Sequence, residues 1–295
     1  MTRGPWSPPT SKLGKPPVTP SSRTSPRKPA PISCENDATP PAGFWSATDA
    51  DSEGEEGKFF VWTPAQLEET LGKEDADFAA SLLGITPSGN FEHGTSAATR
   101  AGDFSDPRAS SVRKRLYEAR LKRIPPGNDD KILVAWNGLA IDALARAGRI
   151  LGEEQFTAAA AEAATFLLEE LREDGVWRRS WRGGQARNAT VLEDLAYLMG
   201  GFLSLFQATG HEPWLKEAGA LGDKILETYG DRETGILWEN DGFDATVLHR
   251  MKSPWDGATP SPNSVALNGF ARLHAFTQEP RWREALEDGC RALFP

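Results

Sequence analysis

The spacing of apolar residues follows the helical period through most of the chain. Ile132, Leu133, Trp136, Leu139, Ile141, Leu144 and Ala147 make one segment apolar on most sides, as a helix covered all round must be. Glu154, Glu162, Glu169 and Glu170 give the next segment a wet face. Patterns of this kind predict helices over 64–71, 74–83, 110–123, 130–151, 154–172, 190–209, 213–229, 262–278 and 281–293. The first has a defined start, with Thr63 as N-cap and Pro64 at the first helical position. Just before it, Phe59-Phe60-Val61-Trp62 has the aromatic and β-branched character of a strand.

The helices recur in pairs. A shift of 62 carries Gly138 onto Gly200 and Asp130–Gly148 onto Leu192–Gly210, and a further shift of 68 carries Gly201 onto Gly269 and Trp214 onto Trp282. Short connectors with turn residues beside aromatic runs separate the pairs, at Asp174-Gly175-Val176-Trp177 and Thr234-Gly235-Ile236-Leu237-Trp238. Each unit is thus a helical hairpin with an inner, enclosed helix and an outer, wetter one. Common helical solenoids repeat every ~34 to 47 residues, so this longer unit with long connectors favours a closed (α/α) toroid.

If the inner helices run parallel, their N-termini share one mouth. The repeat register then sets Lys131, Glu193 and Ser261 at equivalent first-turn positions, with Asp129, Asp130, Asp194, Asn263 and Ser264 beside them. A polar cluster at converging positive helix ends suits a hydroxylated or anionic small ligand, although Asp, Ser and Glu are also ordinary capping residues. Among the ten tryptophans, Trp45, Trp136, Trp177, Trp181, Trp238 and Trp255 lie in or near the mouth loops and inner helices. Trp136 is expected in the core, whereas Trp181, Trp238 and Trp255 are better placed to stack on a sugar ring.

Composition narrows the partners. The chain carries 33 Lys+Arg against 42 Asp+Glu, a net charge of -9, which is the wrong sign for neutralising phosphates, so nucleic acid is disfavoured. No apolar run reaches the ~18 residues of a bilayer span, and no signal-peptide core begins the chain. Cys34 and Cys290 form neither a disulfide framework nor a redox pair. Together these features predict a cytoplasmic protein without a membrane partner. Residues 1–42 stand apart: eleven of the 22 prolines lie at or before Pro41, six basic residues face Glu35 and Asp37, and the segment carries +4 against -13 for the rest. Such a segment is expected to be a disordered leader, with 43–295 forming the toroid.

Asp49-Ala50-Asp51-Ser52-Glu53-Gly54 resembles half of a calcium loop, but Phe60 stands where the bidentate carboxylate belongs. Asp51 and its acidic neighbours therefore read as groups aimed at a pocket rather than as a metal site. The four histidines share no ligand spacing, and only His249, next to Arg250, falls near the mouth. With no Gly-rich phosphate loop and no nucleophile elbow, no cofactor is expected and carboxylates are the natural acid and base.

Four motifs in order, Gly43–Thr63 (GFWSATDADSEGEEGKFFVWT), Asp129–Leu139 (DDKILVAWNGL), Leu192–Tyr197 (LEDLAY) and Asp256–Val265 (DGATPSPNSV), resemble those of the thioredoxin-domain family that includes spermatogenesis-associated protein 20. The resemblance covers essentially all of 43–295. It implies an all-α fold, an (α/α)6 toroid of helical hairpins with short β connectors, similar to N-acylglucosamine 2-epimerase and six-hairpin glycosidases. It also implies a preceding thioredoxin-like domain, whose cysteine motif this sequence lacks, so redox chemistry is not carried over. Pro262 stands where the family has a small residue, and about nine helices are counted against the ring's twelve, so an incomplete or truncated toroid is expected.

On that fold the implied function is carbohydrate-active, that of an epimerase, isomerase or glycosidase acting on a small sugar ligand. Asp130, Glu193 and Asp256 are the candidate acids or bases. Asp51, Lys131, Trp136, Asn137, Asp194, Tyr197, Trp238, Arg250, Ser261 and Asn263 are the candidate ligand contacts. The alternative is a non-catalytic remnant or interaction module. An incomplete ring is further expected to self-associate through uncovered edges, with Leu267, Phe270, Leu273, Phe276 and Leu293 left bare.

Overall fold

The computed structural model describes residues 42–231, 233–243 and 248–293, so the Pro-rich leader, apart from Ala42, lies outside the described residues. The chain enters through strand β1 (Trp45–Thr48) and a small hairpin of β2 (Asp51–Ser52) and β3 (Glu55–Glu56). The hairpin turns through Glu53 and Gly54, both at positive φ (55° and 78°). Helices α1 (Pro64–Leu71), α2 (Lys73–Leu83) and α3 (Pro107–Arg120) follow. Thr63 opens α1 with a reciprocal capping box, its hydroxyl accepting from the Gln66 amide while the Gln66 side chain accepts from the Thr63 amide. These three helices enclose their own core of Trp62, Leu67, Leu71, Ala79, Val112 and Leu116.

Phe59–Trp62 is not a strand. It is a turn ending in a single antiparallel bridge from Trp62 to Ser96, because Arg123 reaches in and donates to the carbonyls of Lys58, Phe59 and Val61, with its guanidinium 4.0 Å from the Trp62 ring centroid. The chain then returns alongside β1 as β4 (Asn128–Leu133), with Asp49 N–H donating to the Gly127 carbonyl at 2.8 Å where entry and exit meet.

Three helical hairpins follow among the described residues. They are α4 (Val134–Leu151) with α5 (Glu154–Glu170), α6 (Leu192–Thr209) with α7 (Glu212–Tyr229), and α8 (Pro262–Thr277) with α9 (Pro280–Leu293). Helix α6 packs between α4 and α8, making these the inner layer. Equivalent heights meet at each crossing: Gly138 lies against Tyr197 and Leu198, Gly269 against Met199, and Phe276 against Phe206. The inner helices therefore run parallel, with their N-termini at one mouth. A Cβ on Gly138 would stand 2.6 Å from the Leu198 nitrogen, so glycine is required for the α4–α6 approach. The fold is all-α, a repeat of inner and outer hairpins of the (α/α) toroid type with short β connectors.

The connector between the first two hairpins is β5 (Arg172–Glu173), β6 (Val176–Arg182) and β7 (Gln185–Ala189), and it joins β1 and β4 in one sheet ordered β1-β4-β6-β5 with β7 also on β6. That sheet corrects one expectation. Asp129, Asp130 and Lys131 stand on β4, not in a helical first turn, because Ile132 pairs with both Trp45 and Trp181. Trp136 is a second correction: it is 46% exposed rather than core. The predicted bare edge is corrected in part: Leu267, Phe270 and Leu273 are buried, since α9 lays Gly289 on Leu267 and stacks Trp282 on Phe270, while Leu273 meets Gly222 of α7, whereas Phe276 is exposed and Leu293 half-buried.

Candidate functional site

The mouth of the inner layer opens into a cleft of about 380 Å³. Its walls come from β6 (Arg179), the first turn of α6 (Leu192, Glu193), the loop after α7 (Glu239, Asn240, Ser253, Trp255) and the entry to α8 (Thr259, Pro260, Pro262). Long-range backbone bonds hold these pieces together. Leu192 N–H donates to the Glu239 carbonyl and Glu239 N–H to the Met251 carbonyl, both at 2.9 Å. Glu193 and Glu239 both line the cleft.

Glu193 and Asp194 are adjacent in sequence but differ in environment. Arg179 Nη2 donates to Glu193 Oε1 at 2.6 Å, while its Nη1 stands 3.9 Å from Asp194 Oδ2. Asp194 is fully buried, and its Oδ2 accepts from the Val191 amide at 2.9 Å, closing the N-terminus of α6. Burial pushes the Asp194 carboxyl up to about 6, against the pull of Arg179 and of the Val191 and Ala135 amides. One guanidinium thus bridges an accessible carboxylate in the wall and an enclosed one behind it.

Several predicted site residues surround this cleft as its framework. Tyr197 is buried and its hydroxyl donates to the Pro260 carbonyl. Asp256 accepts from the Ser261 amide at 2.8 Å, and Ser261 caps α8 by accepting from Ser264 N–H while donating to the Ser253 carbonyl at 3.0 Å. Asn263 is buried with its amide laid along Leu237, accepting from that residue's N–H at 2.8 Å and donating to its carbonyl at 3.1 Å. Trp238 carries Lys252 Nζ at 4.0 Å and the Arg250 guanidinium at 4.9 Å from its ring centroid, and Arg250 also donates to the Asn240 carbonyl. These contacts shape the loop that forms the cleft wall.

The other predicted residues lie elsewhere. Asn137 uses the same device as Asn263 two hairpins earlier: it brackets Phe44, accepting from its N–H at 2.8 Å and donating to its carbonyl at 3.0 Å. Asp130 pairs with Arg182 at 2.6 Å, and Lys131 pairs with Asp129 at 3.1 Å on the exposed side of β4. Asp51 belongs to the β2–β3 hairpin, and Trp136 stands on α4; neither lines the cleft. Sequence reasoning missed Arg179 and Glu239. Both sit in connectors outside the helical register, and the backbone pairing of Leu192 with Glu239 is what brings residue 239 to the cleft.

No family model matches the chain. Mouse spermatogenesis-associated protein 20 is 30% identical over 290 residues, covering 82% of this chain and 37% of that protein. The human protein of the same name is 29% identical over 293 residues, with the same two shares. The chain is related to spermatogenesis-associated protein 20. It spans a little over a third of the length of those relatives, and the relationship bears out the resemblance carried by the four motifs. Among solved structures, a glycoside hydrolase of family 105 from C. acetobutylicum is similar at a TM-score of 0.47 and 9% identity, over 84% of this chain and 67% of that one.

Proposed function

We propose that the cleft binds a small hydroxylated ligand of the sugar class and that Glu193 acts on it as general acid or base. One observation carries the reading: two adjacent carboxylates in unlike environments, one accessible in the cleft wall and one enclosed with its pKa near 6, share the guanidinium of Arg179. Environments that separate paired carboxylates are the usual means of assigning acid and base roles. Arg179 holds the Glu193 carboxylate in place, and Asp194 sets how much positive charge Arg179 has left to offer. Glu239 supplies a second carboxylate to the cleft lining, and the exposed Trp255 offers a flat face on which a sugar ring can stack.

A binding role without catalysis is the second reading. It is favoured by the 2.6 Å Arg179–Glu193 pair, which occupies the carboxylate that catalysis would need. Saturation-transfer NMR with a panel of neutral mono- and disaccharides tests binding, and anomeric and epimeric conversion in the same tubes tests chemistry. Trp255→Ala should abolish the transfer signal. Glu193→Gln should keep binding and lower any conversion by roughly 10²-fold. Binding without conversion selects the second reading, and absence of binding to the whole panel removes both.

A further inference from the structure

Among the described residues Asp194 is the only buried acid, and a helix cap alone does not account for its surroundings. Its Oδ2 accepts from the Val191 amide, but its Oδ1 is enclosed with no hydrogen-bond partner among the described residues. The Ala135 amide at the start of α4 faces the carboxyl without closing a hydrogen bond. An ionised carboxylate so placed has one hydrogen bond and a guanidinium nitrogen at 3.9 Å, where water would offer several donors. The repeat does not demand a carboxyl here. The third residue of α4 is Trp136 and that of α8 is Ser264, and α8 caps itself with Ser261. Two charges face Asp194, Arg179 from β6 and Glu193 from α6 itself. The other titratable groups that face it are Tyr197 of α6 and Tyr229 of α7, and burial raises both phenols, Tyr229 to about 12, so each stays neutral between pH 4 and 8.

We propose that Asp194 is a proton switch behind the cleft and that Arg179 carries its state to Glu193. While Asp194 holds a proton, Arg179 has a single carboxylate to serve and keeps Glu193 against the wall through the 2.6 Å arm on Nη2. When that proton leaves to solvent, the second arm, Nη1 at 3.9 Å, is drawn toward the new charge. The guanidinium is then shared by two carboxylates, and Glu193 is held less tightly and freed toward the cleft. Enclosure of the carboxyl places the step near pH 6. Asp194 is thus a positioning residue, since it touches Glu193 only through Arg179. Its use to the protein rests on the reading of Glu193 as the working carboxylate of the cleft, but the switch itself is measurable without a ligand.

Carboxyl ¹³C and arginine side-chain ¹⁵N spectra of the full chain, followed from pH 4 to 8, should show the Asp194 carboxyl titrating near pH 6. Rotation of the Arg179 guanidinium should be slow below that step and faster above it, as one tight pair gives way to sharing. In Asp194→Asn, whose side-chain carbonyl still accepts from the Val191 amide, the Arg179 signals should no longer change with pH. In Glu193→Gln the guanidinium is left to Asp194 and the neighbouring negative charge is gone, so the Asp194 step should move to lower pH. A residue that only caps α6 would give neither response. The proposal is overturned by an Asp194 carboxyl that stays ionised down to pH 4, by Arg179 signals that change as much in Asp194→Asn as in the wild type, or by an Asp194 step that stays or rises in Glu193→Gln. Should no sugar bind, the reading of the cleft falls, while these titrations still decide the switch.

Discussion

Replacing Asp194 by Asn should stabilise the protein at neutral pH. An aspartate in the unfolded chain titrates near 3.8, whereas in the folded chain burial raises Asp194 to about 6. Below the unfolded value the carboxyl is neutral in both states and costs nothing. Between the two values the unfolded chain releases its proton while the folded chain keeps it, so stability falls by ~1.4 kcal/mol per pH unit. Above about 6 the loss is complete, at roughly 3 kcal/mol. Asparagine is neutral throughout, and its carbonyl still accepts from the Val191 amide. The stability of the variant minus that of the wild type should therefore grow from near zero at pH 4 to roughly 3 kcal/mol at pH 7, or ~6–12 °C in melting temperature for a chain of this length. Urea unfolding followed by tryptophan fluorescence at pH 4, 5, 6 and 7 measures it, with equal m-values in both proteins as the control. A gap that stays flat with pH, or a variant less stable at pH 7, would refute the reasoning and show that the ionised carboxylate is held favourably by Arg179. A stabilised variant that loses ligand turnover would mark Asp194 as a residue kept for function at a cost in stability.

Gly138→Ala sets a Cβ 2.6 Å from the Leu198 backbone nitrogen, so the α4–α6 crossing must open and stability should fall by about 3 kcal/mol in a thermal melt; an unchanged melting temperature would mean the helices slide freely. Asn137→Ala strips Phe44 of both amide contacts and should cost about 3 kcal/mol, with hydrogen exchange at residues 44–48 accelerating far more than in α6. Lys252 and its neighbours hold the Asp231 carboxyl down at about 2, which stabilises the fold above the unfolded value of 3.8 and is lost as pH falls through 2. Lys252→Met should accordingly move acid unfolding, followed by circular dichroism from pH 5 to 1.5, to higher pH, and an unmoved transition would show the pair to be neutral.

The sequence by itself determined the helices and their layering. Thr63-Pro64 reads as a helix start because capping is local chemistry, complete within three residues at Gln66. The 3.6-residue period told inner α4 from wetter α5, although the exposed Trp136 and Ile150 show that α4 is not covered all round, and the repeat that set Gly138 on Gly200 and Gly201 on Gly269 fell on the helices that cross, with Gly138 against Leu198 and Gly269 against Met199. The polar first turn of α6 was legible for the same reason. Tertiary structure decided what depends on pairing distant segments. Asp129–Lys131 continues the helical pattern on paper, yet it is a strand because β1, more than 80 residues earlier, and β6, some 50 residues later, offer it backbone partners. Asn137 and Asn263 look like ligand groups until the structure shows each bracketing the backbone of one distant residue, Phe44 or Leu237. Glu239 acquires its place only because Leu192 bonds to its carbonyl, and Asp194 its raised pKa only because the folded chain buries it. Composition and period record which side chains are covered; which groups meet is fixed by hydrogen bonds between connectors that share no period.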